Sequence, residues 1–374
     1  MNMILNTDSY KPSHWLQYPP NTEKVFSYIE SRGSVGDHNI YDQKHQPMRM
    51  PETVFFGLQA FLKEYLVKGI TREDIDEAEI ILKAHGEPFN REGWEIILDK
   101  YDGKFPVEIR AVPEGIVVPT RNVLVTVENT DPELFWLTSY IETALLRAVW
   151  YPTSVATISW RIKNLIRSYM EKTSDSTEGL EFKLHDFGSR GVSSKESAGI
   201  GGMSHLVNFM GTDTLEGIMY ARKYYGIDMP GFSIPAAEHS SITTWGKDRE
   251  VDAYRNMLAH FAKPGSLVAV VSDSYDIYNA SKNIWGNELK QEVIDSGATV
   301  VVRPDSGDPT STVLHTLRGL EEGYGSTTNS KGYRVLNYIR VIQGDGINER
   351  SIESILNAME LNGFSAVSYT HLTL

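Results

Sequence analysis

A unit that recurs through the second half of the chain constrains the fold more than any other feature: a short apolar run, a polar cluster, then a stretch with helical spacing. Five copies are legible: FKLHDFGSRG from Phe182, HLVNFMGTD from His205, LVAVVSDS from Leu267, TVVVRPDSG from Thr299 and IRVIQGDG from Ile339. Strands that are apolar along nearly their whole length are buried on both faces, and with helices between them they form a parallel sheet. An open doubly wound sheet and a closed barrel both satisfy the pattern. Polar residues at the C-terminal end of every strand favour an irregular (β/α) barrel, where those ends share one catalytic face. An open sheet gathers its ligand groups at one crevice instead. The intervening stretches carry apolar faces, with Leu215, Ile218 and Met219 after Asp213, and Ile352, Ile355, Leu356 and Met359 after Asp345. Gly363 sits where the last of these helices would end.

The first half reads differently. Phe105 to Glu128 is rich in Val and Ile with Pro and Gly breaks, which predicts several short strands. From Pro132 to about Lys172 the spacing predicts helices, with Leu134, Leu137, Ile141, Leu145 and Val149 on one face. The polar stretch TSDSTEGL at 173–180 marks a boundary. The expected organisation is a mixed α+β domain over 1–178 and an α/β barrel over 179–374.

Composition narrows the function classes. A chain of 374 residues has volume for two domains, and no apolar run approaches the roughly 20 residues that span a bilayer. The N-terminus lacks the basic and apolar regions of a signal peptide, and cysteine is absent, which removes disulfides, thiolate metal sites and a cysteine nucleophile. A cytoplasmic protein without membrane attachment is expected. The net charge of −13 disfavours nucleic acid as a partner. It leaves room for a small anionic substrate, which needs only a few arginines and backbone amides.

The polar clusters share a chemistry: Asp186 and Arg190; Asp213; Glu238 and His239; Asp273; Arg303, Asp305 and Ser306; and Asp345 after Gly344. Carboxylates bind ribose hydroxyls or Mg²⁺, arginines offer forks to phosphate, and glycines let backbone approach a ligand. One Asp after a strand is ordinarily a helix cap or turn former. Five strand ends that all supply charged groups are hard to explain by capping alone, and together they suit a phosphorylated sugar.

The segments NTDSYKPSHWLQYPPNT, KLHDFGSRGVSSKESAGIGG, LVNFMGTDT, GFSIPAAEHSSITTWGKD, VVSDSYDIYNASKNIWG, VVRPDSGDP and VIQGDGIN resemble, in order and spacing, the nicotinamide phosphoribosyltransferases. The resemblance covers about residues 4–363. It implies transfer of the phosphoribosyl group of phosphoribosyl pyrophosphate to nicotinamide, in a homodimer with shared sites. Phe187 would stack on one face of the nicotinamide ring and the partner subunit's Tyr10 on the other. Asp213 would accept from the carboxamide, with Ser233 along the same pocket. Arg190 and Arg303 would contact the ring and the phosphoribosyl group, and the partner subunit's Arg32 the pyrophosphate. Asp305, Gly344 and Asp345 would hold the ribose, with Asp273 near the ribose and Mg²⁺. His239 resembles the histidine phosphorylated when ATP hydrolysis is coupled to the reaction.

The same resemblance implies a glycine-rich phosphate loop after Gly363, where this chain has only FSAVSYTHLTL. The expectation is therefore a barrel incomplete at its C-terminal end, with a tail foreign to the fold from about residue 364. Competing readings are a nicotinate phosphoribosyltransferase, an inactive ligand-binding remnant, and a Mg²⁺-dependent phosphatase or kinase with an Asp nucleophile. The last leaves the order of the motifs unexplained.

Overall fold

The structure, a computed structural model, describes residues 2–32 and 51–373. The chain forms two compact units, residues 1–158 with 220–226 and residues 159–219 with 227–374.

In the first unit the strands are β1 (Phe26–Glu30), β2 (Glu52–Val54), β3 (Val107–Ala111), β4 (Val117–Pro119) and β5 (Val123–Asn129). β5 lies between β1 and β3 and runs antiparallel to both, with Phe26 opposite Glu128 and Val107 opposite Asn129, while β2 pairs with β4. The Val- and Ile-rich segment thus forms the short strands its breaks predict. The helical face Leu134, Leu137, Ile141, Leu145 and Val149 is buried in the core around Trp94. The Trp94 ring meets Trp136 and Tyr140 edge-on at 4.8 and 4.9 Å, pairs that each add about 0.5–1.5 kcal/mol beyond area burial.

The second unit contains β6 (Leu184–Asp186), β7 (Gly211–Thr212), β8 (Leu267–Val271), β9 (Thr299–Arg303), the short antiparallel pair β10 (Ser326–Thr328) and β11 (Arg334–Leu336), then β12 (Ile339–Gln343) and β13 (Tyr369–Thr373). Six of them form a parallel sheet in the order β7-β6-β13-β12-β9-β8. Its two edges meet one stretch of chain. Phe232 bridges Gly211 beside β7, and Ala236 bridges Ala269 on β8. The sheet is therefore curled, with every strand's C-terminal end on the same rim.

Period-2 alternation sorts the apolar residues between its faces. Val268, Val270, Val300, Val302 and Val341 are fully buried under the helices Ile277–Asn279 and Pro309–Tyr324, each such burial contributing roughly 1.5–3 kcal/mol. Ala269, Val301 and Ile342 point to the other face, where Phe187 and Ile234 pack on them.

Three expectations differ from the structure. HLVNFMGTD is not a strand from His205. Ser194 caps a helix, Lys195–His205, that runs through that histidine, and the strand is only Gly211–Thr212. The helix Leu215–Tyr225 does not bury Leu215 and Met219, which are exposed; Gly217, Ala221 and Tyr224 are buried instead. The expected incompleteness at the C-terminal end is not confirmed either. Residues 369–373, β-branched and aromatic in part, supply β13 between β12 and β6, and Phe364, Ala366 and Tyr369 are buried.

The helices that follow β6 and β7 cross at a pair of glycines. A Cβ on Gly217 would lie 2.7 Å from the Gly202 backbone, and one on Gly202 would lie 2.9 Å from the Gly217 Cα. Only hydrogen on both residues allows this approach of the helices that follow β6 and β7. Gly217→Ala is expected to destabilise the protein by ~1–3 kcal/mol through overpacking, read as a lower midpoint in urea unfolding. An unchanged midpoint would mean that the helices can part freely.

Candidate functional site

Parallel pairing brings the polar strand ends of the second unit to one rim. β6 leads into Phe187 and Arg190, β7 into Asp213, the 232–236 stretch carries Ser233 and leads to His239, β8 leads to Asp273, β9 ends in Arg303 and leads to Asp305, and β12 leads to Gly344 and Asp345. Ten of the twelve expected site residues therefore belong to one unit. Tyr10 and Arg32 belong to the other. Tyr10 is exposed at the start of the turn Lys11–Leu16, and Arg32 is exposed after β1.

Two polar groupings form on the rim. In the first, Asp213 Oδ1 accepts hydrogen bonds from His185 Nε2 at 2.9 Å and from Ser233 Oγ. Both donors converge on the same oxygen. Its backbone N–H donates to the Asp186 carbonyl at 2.9 Å, which pins the residue to β6. Burial alone would raise the Asp213 pKa. The His185 and Ser233 hydrogen bonds, with the charges of His185 and Arg303, outweigh it and hold the carboxyl below its ordinary value. Phe187 lies next to this carboxylate's partner, its ring 5.3 Å from the His185 ring and nearly perpendicular to it.

In the second grouping, Asp273 is the hinge. Its side chain is 4% exposed, Oδ1 pairs with His239 Nε2 at 2.9 Å, and Oδ2 accepts the Asp305 backbone N–H at 3.1 Å. The base of this grouping is rigid, because Trp285 Nε1 donates to Ser272 Oγ at 3.0 Å and Ser272 N–H donates to the Arg303 carbonyl at 2.9 Å. Arg303 is nearly buried, its Nε lies 3.8 Å from Asp305, and that Nε has no hydrogen-bond partner among the described residues. A buried guanidinium donor left open suits an incoming anion.

The remaining expected residues are placed more loosely. Arg190 is exposed, as is Asp345, while Gly344 is buried and Gly346 takes a left-handed φ of 70° that turns the chain beyond the strand. Asp186 and Glu238 prove to be local formers. Asp186 accepts the Gly188 N–H at 2.7 Å, and Glu238 forms a reciprocal cap with Ser241. Among the described residues no three acidic or histidine side chains converge on a metal position, and no helix is long and apolar enough to cross a membrane. His185 is the contact residue that sequence reasoning missed. Its signal was available, since it stands on a strand two residues before Phe187, which directly follows that strand, hence on the same side.

Comparisons with known proteins follow this geometry. Residues 182–370 match the nicotinate phosphoribosyltransferase (NAPRTase) family, and residues 2–109 match the N-terminal domain of nicotinamide phosphoribosyltransferase. The chain is 58% identical over 366 residues to the nicotinamide phosphoribosyltransferase of Xanthomonas campestris pv. campestris, covering 98% of this chain and 75% of that protein. It is 32% identical to the enzyme of the same name from Acinetobacter baylyi, covering 98% and 77%. Two solved structures share the fold: human nicotinic acid phosphoribosyltransferase, with TM-score 0.58 at 16% identity, covering 98% and 72%, and nicotinate-nucleotide pyrophosphorylase from Pyrococcus furiosus, with TM-score 0.58 at 14% identity, covering 100% and 72%. Two family models that between them cover most of the chain and a 58% identical relative matched along almost its full length agree, and the chain belongs to the nicotinamide phosphoribosyltransferases of the NAPRTase family.

Proposed function

We propose that the protein transfers the phosphoribosyl group of phosphoribosyl pyrophosphate to nicotinamide, giving nicotinamide mononucleotide and pyrophosphate in NAD salvage. The observation that carries this reading is Asp213, with one oxygen bonded by His185 and Ser233 and the other without a donor among the described residues. An ionised acceptor of that kind takes a hydrogen bond from a carboxamide N–H and repels a carboxylate, so nicotinamide is preferred over nicotinate.

The chemistry asks little of a base, because the pyridine nitrogen already carries its lone pair. That pair forms the bond to the anomeric carbon as the bond to pyrophosphate breaks, and the leaving electrons go to the pyrophosphate oxygen. Positive charge builds on the sugar, and Asp305, Asp273 and Asp345 are the carboxylates that would stabilise it and hold the ribose with Gly344. Arg303 and Arg190 offset negative charge on the phosphoribosyl group, and Phe187 fixes the ring plane. Mg²⁺, when bound, would offset negative charge on the departing pyrophosphate. It is usually held by substrate phosphates with one or two carboxylates, a role that would fall to Asp305 first, since both Asp273 oxygens already have protein partners.

His239 is the residue for ATP coupling. A neutral ring that donates from Nε2 to Asp273 keeps its lone pair on Nδ1, the nitrogen that would accept a phosphoryl group. The second subunit of a homodimer would supply Tyr10 and Arg32. Phe26 and Tyr28, which lie between them in the chain, are 60% and 57% exposed, as an interface strand would be. A chain without cysteine suits the cytoplasm.

Three outcomes test this reading. Asp213→Asn is expected to lower kcat/KM for nicotinamide by about 10–100-fold, the worth of a charge-assisted hydrogen bond, and to narrow the preference over nicotinate. Full selectivity in steady-state assays of that variant would remove Asp213 from the role. His239→Ala should abolish stimulation by ATP while basal synthesis persists, measured as nicotinamide mononucleotide formed with and without ATP; stimulation that survives returns His239 to a structural part. Mixing Tyr10→Ala chains with Phe187→Ala chains should restore activity through heterodimers that carry one intact site. No recovery, with subunit exchange verified by mass spectrometry, contradicts shared sites.

A further inference from the structure

We propose that His185 is the positioning residue for amide selectivity: it holds Asp213 in the one orientation that presents a single free oxygen to the ring substituent, and it braces the Phe187 ring beside it. The proposal rests on the nicotinamide reading above and extends it to a residue outside the expected site.

Four observations converge. His185 and Phe187 are two residues apart at the end of β6, so both project to the same side of the strand, and their rings meet edge-on at 5.3 Å and 82°. His185 Nε2 is 2.9 Å from Asp213 Oδ1, the oxygen that Ser233 also occupies. The imidazole thus spans from the stacking ring to the amide reader. Its path crosses β7 where that strand has no side chain: His185 pairs with Gly211 in the sheet register, and a Cβ on Gly211 would lie 2.6 Å from His185 Nδ1. Gly211 has no left-handed φ to explain it, so its lack of a side chain is a matter of space for the histidine. Finally, the His185 side chain is only 14% exposed against 39% for Asp213, so the ring is held within the fold while the carboxylate it contacts stays open to a ligand.

The consequence for selectivity follows from the geometry of a carboxylate. An unrestrained Asp rotates about its last bond and offers either oxygen. With Oδ1 saturated by two donors, rotation would break both bonds, so Oδ2 alone faces the ligand as an acceptor. An amide satisfies it, and a carboxylate meets an uncompensated negative charge. Without the His185 donor the side chain is freed and takes a proton more readily. A protonated Asp213 can donate to nicotinate, which lets the acid in. The assembly therefore links selectivity to pH.

The experiment measures binding by calorimetry and kcat/KM for nicotinamide and nicotinate between about pH 5.5 and 8, across the range where a freed carboxyl begins to protonate. The proteins are the full chain and three variants. His185→Phe keeps a ring against Phe187 and removes the donor. It is expected to cut the nicotinamide preference about tenfold or more at neutral pH, and further as pH falls. His185→Gln keeps a donor at the same reach and should hold the preference within about threefold of wild type, with weaker nicotinamide binding as the Phe187 brace is lost. Gly211→Ala leaves the histidine in place chemically but displaces it, and should mimic His185→Phe. Nitrogen NMR of the wild-type protein, with the His185 signals assigned by their loss in His185→Gln, should show Nε2 protonated. This readout is made on the wild-type protein and stands even where His185→Phe or Gly211→Ala does not fold. Wild-type preference and pH profile in both His185→Phe and Gly211→Ala, or a His185 ring unprotonated at Nε2, would overturn the proposal. A wild-type protein that binds nicotinate as well as nicotinamide would instead overturn the reading of Asp213 itself, and the role of His185 with it.

Discussion

Parallel pairing in the second unit is the constraint on which the site depends. In a parallel sheet all strands point one way, so whatever follows each strand emerges on a common rim. Here that rim collects Phe187, Asp213, Asp273, Arg303 and Asp345 from positions scattered over more than half of the unit's sequence. The pairing is held by Val side chains that are buried without exception on the helix-covered face of β8 and β9. Loss of one would shift a strand end and with it the polar residue that the strand delivers. Packing on one face of the sheet thus sets the geometry of chemistry at its edge.

Much of this was legible because buried parallel strands are nearly continuous apolar runs. LVAVV, TVVVR and IRVIQ became β8, β9 and β12 with their polar ends where the spacing placed them. The helix Glu349–Leu361 buries the face its spacing assigned to Ile352, Ile355, Leu356 and Met359, and Gly363 follows its end with a left-handed φ of 72°. Periodicity failed where backbone proximity replaced side-chain packing. Around Gly217 two helices touch through glycines, so the buried face is the one that looks bare in sequence, and the apolar Leu215 and Met219 face outward. β7 was drawn too long for a similar reason: the strand expected from His205 is only Gly211–Thr212, two residues of which one is a glycine. The 232–236 stretch was hidden by Pro235, which gives the Ala269 N–H its carbonyl at 2.9 Å but has no N–H of its own to mark a strand.

The site was legible to the extent that single residues at strand ends carry it, and illegible where it depends on a pair across strands. His185 reaches Asp213 only because β6 and β7 pair in the register that sets Gly211 beside it. No spacing within either segment encodes that register. It arises from the fold, which places a histidine, a glycine and a carboxylate in one line across two strands.

A carboxylate at a strand end is ambiguous in sequence because capping and ligand binding use the same lone pairs. The structure separates them by what is left over. Asp186 and Glu238 each turn an oxygen onto a nearby backbone N–H group, and Asp308 likewise caps the helix Pro309–Tyr324, so these carboxylates serve the local backbone. Arg303 differs, with a buried Nε without a partner, and Gln343, fully buried at the end of β12, has an Oε1 in the same condition among the described residues. Asp213 spends both of its described side-chain hydrogen bonds on one oxygen and leaves the other. A buried polar atom without a partner costs typically about 1–3 kcal/mol, which applies to Arg303 Nε and Gln343 Oε1, whereas Asp213 is exposed and its second oxygen stays open at no such cost. A bound ligand would offset the cost of the two buried atoms, and the mixture left open, one guanidinium donor with carboxylate and amide acceptors on the same rim, is the complement of a molecule that is anionic at one end and offers N–H groups at the other.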